Sequence, residues 1–184
     1  MIWLILSIGI LLFFIILYNT LVSKKNKVND AFSSIDVQLK QRYDLIPNLV
    51  AAVKSYMQHE KSVLEDITRL RAQAMGGTLS ADEKIDLDNK ISKALTNILV
   101  AVENYPQLKA NQNFLQLQAS LNEVEEKISA SRRAYNAAVL DLNNAIEMFP
   151  TNIMASWMQL KRRAWFEIPE TERKNVNVDQ LFKS

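Results

Sequence analysis

His59 is the only histidine among 184 residues, and no cysteine accompanies it. A Ser-His-Asp relay would have to run through this one imidazole, and a multi-histidine metal site cannot be built. His59 and Glu60 supply two letters of an HExxH zinc motif and no more. A carboxylate-bridged di-iron bundle needs Glu-x-x-His on two helices, and the chain carries neither copy. Gly76 and Gly77 close a helical pattern instead of opening one, so they make no phosphate-cradling loop. The absence of cysteine removes thiol redox chemistry, zinc-thiolate sites and lipid attachment through a thiol. No cofactor is expected.

The chemistry left to the chain rests on polar side chains set within otherwise amphipathic segments: Asp36, Arg42, Asp44, Asn48, His59, Glu60, Glu103, Asn113, Arg132, Arg133 and Asn136. Two carboxylates of this set, paired and desolvated, would suffice for hydrolysis. The commoner use of such groups is to satisfy one another and fix helix register, and that reading is favoured. It has Asn48 bonding the carbonyl that Pro47 leaves free, and Arg132 or Arg133 pairing with Asp36 or Asp44 across a bundle.

The elements that must position these groups are helices. Three glycines and four prolines are too few for a chain of hairpins, whereas Leu, Ala, Lys, Glu and Gln dominate. Residues 1–22, MIWLILSIGILLFFIILYNTLV, hold no charge and run straight into Lys24, Lys25 and Lys27. At ~1.5 Å per residue this helix reaches about 30 Å, enough to cross a bilayer once. Trp3 and Tyr18 sit near its ends, where amphipathic rings favour the interface. A secretory signal would want positive charge before the apolar run and a small-residue cleavage site after it, and both are missing. The lysines place the N-terminus outside the inner or plasma membrane and the remainder in the cytoplasm.

Beyond the anchor, Val28, Phe32, Ile35, Leu39, Tyr43 and Ile46 recur at three-four spacing, and Leu49, Val53, Met57, Leu64 and Ile67 extend the stripe. One long amphipathic helix is expected, bent near Tyr43 to Ile46 by Pro47. Gly76 and Gly77 are expected to turn the chain in left-handed conformations, with Ser80 and Glu83 as the capping box of the next helix. That helix carries Ile91, Leu95, Ile98, Val102 and Tyr105 up to a turn at Asn104 to Lys109. A third long helix follows, with a coiled-coil-like seam of Phe114, Leu117, Leu121, Val124, Ile128, Ser131, Tyr135, Ala138, Leu142, Ala145 and Phe149. Ile153 to Trp165 reads as a shorter helix. The expected fold is all-α: a transmembrane anchor over 1–22, an antiparallel bundle of three long helices plus a shorter C-terminal helix over 23–167, and a flexible charged tail over 168–184.

Three blocks carry a resemblance: IDVQLKQRYDLIPNLVAAVKSYMQHE (35–60), ENYPQLKANQNFLQLQASLNEVEEKISASRRAYNAAV (103–139) and FPTNIMASWMQLKRRAWFE (149–167). In content and order they resemble the signature blocks of the LemA family of bacterial membrane-anchored helical proteins. Two positions depart from that pattern: Leu142 stands where an aromatic is usual, and Trp165 replaces the usual Tyr before Phe166. Both keep a large apolar group. The resemblance implies a membrane-apposed bundle of long antiparallel helices. Members are often encoded near membrane proteases or small membrane-associated domain proteins, which implies envelope quality control by association.

Twenty-two basic residues against 20 acidic leave no basic field for a nucleic acid. Trp157, Trp165 and Phe166 beside Lys161, Arg162 and Arg163 fit a contact with anionic headgroups or a partner. The stripe Ile153, Trp157, Leu160 and Ala164 has ordinary core width, which favours the alternative that this face covers the end of the bundle. The function expected is non-enzymatic: a membrane-anchored rod that self-associates as a homo-oligomeric scaffold, using a second stripe of Val50, Tyr56 and Val63. The alternative is a membrane-tethered adaptor or regulator for a membrane protease or a signalling partner, and a carboxylate-based hydrolase is the remote one.

Overall fold

The structure is a computed structural model that describes residues 1–77 and 79–166. Its regular elements among the described residues are helices: α1 (Ile2–Lys54), α2 (Lys61–Met75), α3 (Ala81–Val102), the single turn α4 (Pro106–Lys109), α5 (Gln112–Glu147) and α6 (Thr151–Trp157). The expected charged tail, 168–184, lies outside the described residues.

Helix α1 runs for 53 residues, about 80 Å, without interruption. Its first part is long and apolar enough to cross a membrane, and only 6% of that window is buried against the protein. Its second part buries Val28, Ile35, Leu39, Tyr43, Ile46, Leu49 and Val53 on one face. Pro47 lies inside the helix, which continues through it to Lys54. The stripe does not continue in one helix as expected. The chain reverses at Ser55–Glu60, and Met57, Leu64 and Ile67 reach the same core from the turn and from α2. Their spacing survives the reversal because both sides of the turn face one core.

Helix α2 returns along α1, α3 runs back beside α2, and α5 runs the length of the bundle against α1. Lys24 lies opposite Asp141 and Arg42 opposite Glu125, so α1 and α5 are antiparallel. Asp36 meets Lys84 and Arg42 meets Asp88, so α1 and α3 run in the same direction. The α2–α3 turn departs from expectation: Gly76 has φ −96° and no glycine takes positive φ. A Cβ on Gly76 would stand 2.8 Å from the Ala72 carbonyl oxygen, so that position needs glycine for close approach. The Ser80–Glu83 capping box then opens α3.

In α5 the buried line is Phe114, Leu121, Val124, Ile128, Arg132, Tyr135, Val139, Leu142 and Ala145, with Asn143 beside it. It passes through Arg132 and Val139 where Ser131 and Ala138 were expected, and Phe149 is exposed. The last helix is also shorter than expected. Gln159, at φ 53°, follows the end of α6, and residues 160–166 leave the helical path.

Candidate functional site

Three arrangements of polar or exposed side chains stand out, and none of them is a catalytic relay. The first is a buried ionic node at mid-bundle. Arg42 of α1 donates through Nη1 to Asp88 Oδ1 and to Ser92 Oγ, each at 2.8 Å, and through Nη2 to Glu125. Arg132 of α5 donates to the other oxygen of Asp88. Asp88 is fully buried, and two guanidiniums against two carboxylates leave the node balanced. Burial pulls the Arg42 guanidinium below its usual value, opposed by the field of Asp88. Tyr43 beside it is pushed well above the tyrosine range, first by burial and then by the Asp88 charge. Both node carboxylates are engaged by arginine, which suits helix register better than proton transfer.

The second arrangement is a strap. Residues 160–166 run back along α5, held by side-chain amides acting as surrogate backbone. Asn143 accepts from the Arg163 amide at 3.0 Å and donates to the Arg163 carbonyl at 3.1 Å. Asn136 accepts from the Phe166 amide at 2.9 Å and donates to its carbonyl at 3.0 Å. Tyr135 Oη donates to the Ala164 carbonyl at 3.2 Å between them. The spacings agree: three residues of extended chain and seven of helix each cover about 10 Å. The strap thereby buries Phe166 edge-to-face on Tyr135, with the Arg132 guanidinium 5.7 Å from its ring centre.

The third is the corner where α5 ends and α6 begins. Leu17 and Leu21, still within the apolar part of α1, are buried against Ala145, Met154 and Ala155. The outer side of the same corner exposes Met148, Phe149, Ile153 and Trp157, with Phe149 80% and Trp157 79% accessible. The covered side of α6 is therefore Met154 and Ala155, not the stripe through Ile153 and Trp157. Lys161, Arg162, Arg163 and Trp165 are exposed on the strap, and Arg162 pairs with Glu147 at 3.0 Å. Lys24 approaches Asp141 at 3.8 Å, while Lys25, Lys27, Trp3 and Tyr18 are exposed along α1.

Among the sequence-derived polar residues, Arg42 and Arg132 meet at the node and Asn136 holds the strap. Asp44 does not meet Arg133: it lies 3.5 Å from Lys40, and Arg133 donates to Ser129. Asp36 pairs with Lys84 at 2.6 Å. Asn48 is exposed, and the carbonyl of Tyr43 accepts from Arg71 instead. His59 is exposed in the α1–α2 turn, and Glu60 accepts from Tyr105 Oη at 2.6 Å. Val50, Tyr56 and Val63 are half-buried against the core. Asp88, Ser92, Glu125 and Asn143 were missed. Asp88 had a signal, since it sits three residues from both Ile85 and Ile91 in the α3 seam. Among the described residues no cluster of three or more His, Cys, Asp or Glu is placed to hold a metal.

The chain matches known proteins along most of its length. The model of the LemA family matches residues 31–180. The chain is 28% identical to protein LemA of Metamycoplasma hominis, over 96% of this chain and 81% of that protein. It is 25% identical to magnetosome protein MamQ 2 of Paramagnetospirillum magneticum and 23% identical to magnetosome protein MamQ of Magnetospirillum gryphiswaldense. Each of these two matches covers 90% of this chain and 70% of the relative.

Proposed function

Since the chain belongs to the LemA family, a family of helical membrane-associated proteins, we propose that it is a non-enzymatic scaffold that self-associates at a membrane. One observation carries this reading: α1 passes from the apolar segment into the bundle with no linker, and Leu17 and Leu21 already pack on α5 and α6. A bundle joined in this way holds a fixed attitude to the bilayer, as a rod in an assembly requires and a tethered domain does not. The absence of enzymatic activity is supported by the node, whose carboxylates are both engaged by arginine. Lys24, Lys25 and Lys27 support a single span with the bundle on the cytoplasmic side of the inner or plasma membrane.

A second reading, an adaptor for a membrane protease or another membrane protein, is favoured by a groove of ≈ 610 Å³ at the far end of the bundle. Val50, Leu64 and Ala72 line it together with the charged Lys54, Lys61 and Glu65. Mass photometry of the full-length protein in nanodiscs separates the two. Uniform multi-copy particles are expected. Monomers in both lipid and mild detergent would reject the scaffold and leave the adaptor.

A further inference from the structure

The apolar part of α1 and the α5–α6 corner overlap along the helix axis. If residues 2–22 occupy the hydrocarbon, Leu17 lies about 7 Å inside its boundary, and Leu17 is packed against the corner that contains Met154 and Ala155. The corner therefore cannot stand clear of the bilayer. Its outer side answers to that depth: Met148, Phe149, Ile153 and Trp157 are all exposed, and the last two share a face of α6. Amphipathic elements at a membrane surface lie about 5–10 Å into the headgroup and acyl boundary, the same range as the overlap.

The charges are set at the matching height. Lys24 opposite Asp141 puts Asn143 about level with Leu21 to Lys24, and Asn143 holds the backbone of Arg163. Arg163 on the strap thus stands level with Leu21 to Lys24, and Arg162 and Lys161, about 3 and 7 Å nearer the corner, lie at the boundary of the apolar segment, from which their long side chains reach the headgroups. Among the described residues two carboxylates share the region, Asp141 beside Lys24 and Glu147 beside Arg162, so the cations outnumber them.

We propose that the α5–α6 corner and the strap form a second membrane contact, in which Phe149, Ile153 and Trp157 enter the interface while Lys161, Arg162 and Arg163 hold anionic lipid headgroups. This rests on the reading of α1 as a membrane span. The contact gives the bundle a second point of attachment beside α1 and so fixes its tilt to the bilayer.

The test uses full-length protein in phosphatidylcholine vesicles containing phosphatidylglycerol. In a W3F/W165F variant, Trp157 is the sole tryptophan. Lipids brominated near the headgroup end of the acyl chain are expected to quench it more than lipids brominated near the chain terminus, with little quenching by aqueous iodide. Brominated phosphatidylglycerol, as a minor component, is expected to quench it more than the same share of brominated phosphatidylcholine. K161Q/R162Q/R163Q in that background is expected to abolish this preference. Iodide access to Trp157 would overturn the proposal, as would shielding from both iodide and brominated lipid, which would indicate a protein cover. Equal quenching by the two headgroups would overturn the headgroup assignment. The W157F/W165F variant reports Trp3: quenching of Trp3 by brominated lipid without quenching of Trp157 would leave the span standing and remove only the corner. No quenching of Trp3 would remove the span itself.

Discussion

Arg71 Nε of α2 donates to the backbone carbonyl of Tyr43 at 2.8 Å, and that carbonyl is the one Pro47 leaves without its helical donor. A proline inside a long helix frees the oxygen four residues before it, and here a side chain from the neighbouring helix takes the place of the missing amide. The proline thus creates a docking point that ties α2 to α1 while α1 stays continuous.

Replacing Arg71 by Ala should destabilise the full-length protein in detergent by about 1–3 kcal/mol, the usual result of leaving a buried acceptor unsatisfied. In a P47A background the alanine amide supplies the bond again, so the Arg71→Ala effect should shrink. A double-mutant cycle by chemical denaturation measures the coupling, and additive effects would show that Arg71 acts elsewhere.

The ionic node should respond asymmetrically. Asp88→Asn leaves Arg42 and Arg132 as neighbouring buried cations with Glu125, itself half-exposed, as their only counter-charge among the described residues. A loss of about 3–5 kcal/mol is expected. Replacing the three buried members together, R42M/D88L/R132M, should recover much of that loss, because it removes the buried charges and leaves Glu125, itself half-exposed, to water. Comparing thermal unfolding of the single and triple variants checks both.

Much of this fold was legible because a helical seam is a periodic signal, and the capping box at Ser80 and the turns near Gly76 and Pro106 punctuate it. The reversal at Ser55 was not, since Val53, Met57 and Leu64 keep helical spacing on both sides of it. Arg132 was displaced from the expected seam because periodic reading prefers a small neutral Ser131 to a guanidinium at a core position, and only the carboxylate on another helix makes Arg132 acceptable there. The strap was read as helix from Ile153, Trp157, Leu160 and Ala164. Its conformation is decided by Asn136 and Asn143, on a different helix and far away in sequence. Tertiary partners, not local propensity, set these places.

Alkaline pH should weaken the bundle through its buried tyrosines. Tyr43 and Tyr135 are both held above the usual tyrosine value, near 10, chiefly by burial. Below that pH the phenols are neutral in both folded and unfolded chains and the stability is fully present. Above it the unfolded chain ionises first, so it binds fewer protons and the folded state loses ground as pH rises. Tyr43→Phe should flatten the decline in stability above about pH 10, measured as the difference between wild-type and variant unfolding curves. Parallel curves would show that Tyr43 ionises as freely folded as unfolded.

The strap supplies the most direct structural prediction. Its cationic residues are good tryptic sites that are protected only while Asn136 and Asn143 hold the backbone, because a protease needs an extended segment free of its partners. Each asparagine makes two hydrogen bonds, so Asn143→Ala or Asn136→Ala should raise the population of the released strap by roughly 5- to 30-fold, as 1–2 kcal/mol requires. The rate of cleavage at Lys161, Arg162 and Arg163 should rise by the same factor while opening remains fast relative to cleavage. Asn136→Ala also loosens Phe166 from Tyr135 and Arg132, so its effect should be the larger of the two. Limited proteolysis followed by mass spectrometry reads both rates. Unchanged cleavage in both variants would mean that the buried Phe166, not the amide pairs, holds the strap, and Phe166→Ala would then be the variant that releases it.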